Sequence, residues 1–182
     1  IQDVDVLNVV DDVYNLYLKS AESKKLYLKK NYKIKNFAIK TDEYIFREIL
    51  TNYVSNAVKY TNQGGIEIFV DIINRDNSDH LLIKVVDTGI GIPKDKQDLV
   101  WEEFRQVSEG LNRSFEGTGL GLTIAKKYSE LLRGNVYLES EVDKGTSFFL
   151  EIPIEKSKKI KTQSKKTNSN ETDFDIKNGA KS

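Results

Sequence analysis

The sequence predicts an α/β chain: a mixed β-sheet packed on helices along a single face, a two-layer sandwich. Three observations carry that reading. Residues 7–21 and 42–60 repeat apolar side chains at three- and four-residue spacing, the period of a helix with one buried side. Several shorter stretches alternate apolar and polar residues, or run apolar, as strands do. Polar and Gly-rich turns separate neighbouring strand stretches, while helices intervene elsewhere.

The elements follow in order. Leu7, Val10, Val13, Tyr14, Tyr17, Leu18 and Ala21 line one face of a first helix. Leu26, Tyr27 and Leu28 read as a short strand, as do Phe37, Ala38 and Ile39. Asp42 supplies an N-cap carboxylate for a long helix reaching Tyr60. Ile45, Phe46, Ile49, Leu50, Tyr53, Val54, Ala57 and Val58 give that helix a broad apolar face. Asn62, Gln63, Gly64 and Gly65 form a turn, and Ile66, Ile68 and Val70 alternate as in a half-buried strand. A polar turn over 74–79 leads to an apolar strand at 81–86. Residues 119–132 read as a helix, followed by strands at 136–138 and 147–152.

Composition limits the chemistry. The chain has 182 residues, 28 Lys+Arg against 28 Asp+Glu, no cysteine, no methionine and one histidine, His80. That length suits one domain with a tail. Disulfide frameworks, thiolate zinc sites and cysteine nucleophiles are excluded. A Ser-His-Asp triad would depend wholly on His80. No apolar run is long enough to span a membrane, and the first residues lack a signal peptide's pattern. The start at Ile1 without methionine is expected of a fragment of a longer chain. The zero net charge argues against a nucleic-acid partner. It conceals an asymmetry, since residues 155–182 hold eight lysines and four acids, which makes them +4 and leaves −4 for 1–154. The tail has few large apolar residues, so 155–182 is expected to be a disordered tail or linker and 1–154 the folded domain.

Two glycine clusters stand out, at 87–93 (Asp87, Gly89, Gly91, Ile92) and at 117–122 (Gly117, Thr118, Gly119, Leu120, Gly121, Leu122). Glycines at this density let backbone approach a ligand. A Gly-rich turn that opens a helix offers unpaired N–H groups to phosphate. Yet no Gly-x-x-x-x-Gly-Lys-Ser/Thr is present, and no Gly-x-Gly-x-x-Gly follows a strand. Protein-kinase signatures of the eukaryotic type are also missing. The helix at 42–60 is more telling. Glu48, Asn52, Asn56 and Lys59 form one polar stripe opposite its apolar face. Asparagine at two successive turns of a helix is unfavourable by propensity. An amide oxygen can meet Mg²⁺ without adding charge beside a triphosphate, and a lysine one turn on can meet a phosphate.

These segments together resemble the catalytic and ATP-binding domain of sensor histidine kinases. The run from Asn52 through Asn56 and Lys59 to Tyr60 looks like their N box. Asp87, Gly89 and Gly91 look like the G1 box, Trp101 to Phe104 the F box, and Gly117, Gly119 and Gly121 the G2 box. Gly145 and Thr146 match the closing strand, and the likeness covers 1–154. The fold it implies is the Bergerat-type ATP-binding sandwich with a mobile ATP lid, shared with gyrase-type topoisomerases, mismatch-repair ATPases and a heat-shock chaperone family.

The resemblance also implies roles. Asn56 would coordinate Mg²⁺. Asn52 stands where ATP-hydrolysing relatives carry a glutamate general base, and an asparagine cannot accept that proton. Lys59 would contact phosphate and Tyr60 would pack along the nucleotide. Asp87 would accept from the adenine amine, Gly89 and Gly91 would clear space beneath the base, Ile92 would be a further nucleotide-binding residue, and Thr146 would contact adenine through water. Gly117 to Leu122 would cradle phosphates. The lid would span the residues between Pro93 and Gly117, with Arg113 a candidate for the γ-phosphate. Arginine is frequent in the family where this chain has Gln106. Trp101 and Phe104 are expected to pack the lid on the body. His80, followed by leucine rather than an acid, is expected to be a surface loop residue and no phosphoacceptor.

The implied enzyme binds Mg-ATP and passes the γ-phosphoryl to a histidine in a dimerisation domain absent from this chain. A response-regulator receiver would be a further partner. The parent would be a homodimer, membrane-anchored or not, with this domain in the cytoplasm and without direct membrane contact. Two other readings are a degenerate nucleotide-binding module acting as a scaffold and an ATP-hydrolysing relative.

Overall fold

A computed structural model describes residues 1–35, 37–102 and 120–154. Along the chain run β1 (Gln2–Asp5), α1 (Val6–Ser23), β2 (Tyr27–Tyr32), β3 (Ala38–Thr41), α2 (Glu43–Tyr60), β4 (Gly65–Arg75) and β5 (Ser78–Asp87). After two short 3₁₀ turns come α3 (Gly121–Leu131), β6 (Asn135–Glu141) and β7 (Gly145–Pro153). Five strands form one mixed sheet in the order β2-β4-β5-β7-β6. β2 lies parallel to β4, with β3 and α2 in the connection, and every other pair is antiparallel.

Local chemistry sets these limits. The Asp5 carboxylate caps α1 by accepting from the Leu7 and Asn8 amides. Asp42 caps α2 in the same way, accepting from Ile45 N at 3.1 Å. β4 and β5 meet in a two-residue turn whose central residues, Asp76 and Asn77, both have positive φ (52° and 61°). Such a turn matches the twist of its strands. The strands therefore run further into the 74–79 segment than its polarity suggests.

The core lies between the sheet and the helices. Phe46, Ile49, Leu50, Tyr53 and Val54 of α2 are fully buried, as are Ile66, Ile68, Leu81, Ile83 and Leu150 of the sheet. α1 and α3 flank α2 on either side. Tyr53 stacks on Phe148 at 5.2 Å, and its hydroxyl donates to the Phe149 carbonyl at 3.1 Å. α2 is thereby fastened to β7 by packing and by a satisfied buried polar group.

Three expectations are corrected. The strand expected at 37–39 does not join the main sheet; β3 pairs antiparallel with β1 in a separate ribbon. β1 has a single buried side chain, Val4, too little pattern to announce a strand. β2 runs on through Lys29, Lys30 and Asn31, because backbone pairing to β4 outweighs their polarity and charged residues suit an edge strand. His80 lies within β5, opposite Ile73 and Pro153, not in a loop. Its Nδ1 is 3.2 Å from the Ser78 carbonyl. The expected lid residues Phe104, Gln106 and Arg113, the glycines Gly117 and Gly119 with Thr118, and the 155–182 tail lie outside the described residues.

Candidate nucleotide site

Asp87 is the last residue of β5 and shares its buried face with Leu81, Ile83 and Val85. A carboxylate there continues a column of core side chains and is 5% exposed. Its Oδ1 accepts from the amides of Gly89 at 2.8 Å and Thr146 at 3.2 Å. Oδ2 takes part in neither bond. Burial pushes the carboxyl above its ordinary range, and the two amide bonds offset that only in part. One oxygen is thus fixed by backbone, and the other remains an acceptor for a donor from outside.

The loop after Asp87 is shaped by close approach. A Cβ on Gly89 would stand 2.6 Å from the Tyr60 carbonyl oxygen and 2.8 Å from Asp87 Oδ1. Gly91 has φ +69°, and any side chain there would collide with the Glu141 carbonyl. Ile90 N donates to the Tyr60 carbonyl at 3.3 Å, which ties the loop to the C-terminus of α2. Thr88 Oγ1 donates to the Gln63 carbonyl at 2.7 Å and accepts from Gly65 N at 3.0 Å. The turn before β4 and the loop after β5 are fixed as one unit.

The polar stripe of α2 lies beside this loop. Asn52 Nδ2 donates to the Glu48 carbonyl at 3.0 Å. Its Oδ1 faces Gly121, where a Cβ would come within 2.5 Å. The second glycine cluster and the stripe therefore meet at Asn52. Asn56 is half-buried one turn on, and Lys59 lies over the Tyr60 ring at 5.0 Å. α3 begins after Leu120, and among the described residues no side chain caps it, which suits its first amides to an anion. Leu122 and Ile92 are half-buried against the core. Trp101 meets Phe148 edge-on at 6.3 Å, in accord with the packing expected of it.

The structure brings Tyr60, Asp87, Gly89 and Thr146 into one group and sets Asn52 against Gly121 in another, with α2 running between the two. It adds three residues that sequence reasoning missed. Lys24 Nζ bonds the Val58 carbonyl at 2.6 Å and the Lys59 carbonyl at 3.1 Å, which offsets the negative end of α2. Ser140 Oγ accepts from Ile92 N at 2.8 Å. Gln97 Nε2 donates to the carbonyls of Ile92 at 3.0 Å and Ser140 at 2.9 Å. None of the three lies in a motif; only strand register and tertiary contact place them here.

Among the described residues no cluster of three His, Cys, Asp or Glu could hold a metal, and no helix is long and apolar enough to cross a membrane.

Comparison with known proteins agrees with this geometry. The pattern of the family described as "Histidine kinase-, DNA gyrase B-, and HSP90-like ATPase" matches residues 41–156. The autoinducer 2 sensor kinase/phosphatase LuxQ of Vibrio vulnificus (strain YJ016) is 42% identical over 118 residues, 64% of this chain and 14% of LuxQ. The sensor histidine kinase RcsC of Escherichia coli (strain K12) is 37% identical over 117 residues, 64% of this chain and 12% of RcsC. The chain thus spans a small part of these relatives. The full-length ShkA structure in complex with AMPPNP superposes with a TM-score of 0.72 at 28% identity, over 84% of this chain and 31% of that one. The catalytic domain of histidine kinase ThkA shares the fold, with a TM-score of 0.69 at 21% identity over 84% of this chain and 97% of that one. The two-layer sandwich, the buried aspartate and the ordered motifs agree on one conclusion: the chain belongs to the histidine kinase-, DNA gyrase B- and HSP90-like ATPase family.

Proposed function

We propose that this chain is the catalytic and ATP-binding domain of a two-component sensor histidine kinase. Its substrates would be Mg-ATP and a histidine on a dimerisation domain outside the chain. The observation that carries this reading is the Asp87 carboxylate: buried, held through one oxygen by two backbone amides, and flanked by Gly89, where a side chain would not fit. Such a group suits the exocyclic amine of adenine. Guanine offers a carbonyl at that position, and two acceptors repel.

The donor set also fits Mg²⁺. A hard cation held mainly by phosphates and water needs few protein ligands, and one neutral amide adds no charge beside the phosphates. Asn56 would be that ligand. When bound, Mg²⁺ would supply positive charge that offsets that of the phosphates. Lys59 would add a positive point charge, and the uncapped start of α3, with Leu120, Gly121 and Leu122, would offer amides to phosphate. Tyr60 and Ile92 would pack against the nucleotide. Arg113, Gly117, Thr118 and Gly119 are further candidates for the phosphates, Arg113 for the γ-phosphate. Asn52 favours transfer over hydrolysis: its Nδ2 is committed to the Glu48 carbonyl, and an amide cannot deprotonate water. We assign the folded unit to 1–154 and a linker or tail to 155–182. The response regulator, the homodimeric parent and a cytoplasmic location belong to the same proposal.

Calorimetric titration with Mg-ATP and Mg-GTP tests this reading. Binding of ATP that needs Mg²⁺ and exceeds that of GTP is expected, with negligible steady-state hydrolysis. Equal affinity for the two nucleotides, or brisk turnover without an acceptor, would count against it.

A further inference from the structure

Asp87, Thr146 and Ser140 end three adjacent strands, β5, β7 and β6, at the same level of the sheet. Thr146 pairs with Ser140, and Ser147 pairs with Val86. Side chains alternate along a strand. Val85, Phe148 and Leu138, two residues from each, face the core, so all three polar residues lie on the helix-facing side. They extend the core columns into the nucleotide site.

Proton accounting fixes the hydroxyls in this row. Ser140 Oγ accepts from Ile92 N at 2.8 Å, because an amide can only donate. It also lies 2.9 Å from the Gly145 carbonyl and 2.9 Å from Thr146 Oγ1. The carbonyl can only accept, so the single Ser140 proton goes to Gly145. The remaining contact then closes in one way: Thr146 donates to Ser140. The Thr146 proton is thereby committed to Ser140, which leaves the Thr146 oxygen only acceptor capacity.

We propose that Ser140 is a positioning residue for base selection. By holding the Thr146 proton, it leaves the Asp87–Thr146 wall with acceptors only. Such a wall favours a purine with an amine at C6 and disfavours one with a carbonyl there. Selection thus rests on a second group besides the Asp87 carboxylate, and that group is set by its neighbour on β6. This inference rests on the Mg-ATP reading of the site.

The test compares binding of Mg-ATP and Mg-ITP to the 182-residue chain and its variants by calorimetry. Inosine differs from adenosine in presenting a carbonyl at C6. The unaltered chain is expected to prefer ATP. In Ser140→Ala the freed Thr146 hydroxyl can rotate and donate to that carbonyl, so the ATP-to-ITP ratio should narrow about fivefold, the worth of one neutral hydrogen bond. In a Thr146→Val background, Ser140→Ala should leave the ratio unchanged, because the group it acts through is gone. A purely structural role would weaken both nucleotides alike. A folded Ser140→Ala chain with an unchanged ratio overturns the inference. If Ser140→Ala does not fold, Thr146→Val alone decides: a narrowed ratio supports the acceptor wall, and an unchanged one overturns it. Failure of the unaltered chain to bind Mg-ATP removes the nucleotide reading as well. ATP binding with unaltered selectivity in Ser140→Ala removes only this inference.

Discussion

At the scale of single residues, Asp87 carries opposing demands. Burial raises its carboxyl pKa in the folded chain, so between the unfolded and folded values the folded state holds a proton that the unfolded state has lost. The resulting stabilisation is complete below the unfolded value and disappears as pH rises through the folded one. At neutral pH the ionised carboxylate therefore costs stability. Asp87→Asn keeps an oxygen for the Gly89 and Thr146 amides, so it should raise the melting temperature of the free chain while it weakens the preference for ATP over GTP. A lowered melting temperature with intact preference would contradict this. Nucleotide affinity of the unaltered chain should fall as pH is lowered through the raised range, because the charge-assisted bond to the amine is lost. Asn56→Ala makes the converse case. Alanine is the better helix former, by up to about 0.7 kcal/mol, so thermal unfolding should shift little or upward. Mg-dependent ATP affinity should drop about tenfold or more, as for a bond to a charged partner. Unchanged Mg-ATP binding would refute the ligand role.

At the scale of elements, α2 organises the site. Its apolar face is built into the core at Phe46, Ile49 and Tyr53, its stripe holds Asn52 and Asn56, and its final carbonyls meet Lys24 and Ile90. The helix was readable from sequence because cap, period and stripe all lie within one continuous segment. The glycine loop was readable for a related reason, since glycine at a positive φ or a close approach leaves a local mark. Gly91→Ala should accordingly lower the melting temperature and abolish nucleotide binding. A left-handed alanine costs about 1–2 kcal/mol before the collision with the Glu141 carbonyl is counted. Retention of both stability and binding would show that the loop can move aside. Ser140, Gln97 and Lys24 were not readable, because their meaning comes from strand register and from contacts distant in sequence. The β1–β3 ribbon escaped for want of pattern: β1 buries one side chain, and nothing local says that β3 should leave the main sheet.

At the scale of the whole molecule, the sheet presents Asp87, Thr146 and Ser140 at one end, and the C-terminal turn of α2 and the start of α3 close on the same end. The proposed adenine and phosphate contacts are thereby built on helices and strands. The one histidine of the chain lies inside β5, away from that end, paired with Ile73 and Pro153. On the proposed function, the acceptor histidine would come from another domain. The most direct measurement supplies it: the chain is incubated with γ-labelled Mg-ATP and a separately produced dimerisation domain of a sensor histidine kinase. Label is expected on a histidine of the added domain, labile to acid and stable to base, with none on the chain itself and far less after Asn56→Ala. Label on His80, or release of free phosphate in place of transfer, would contradict it.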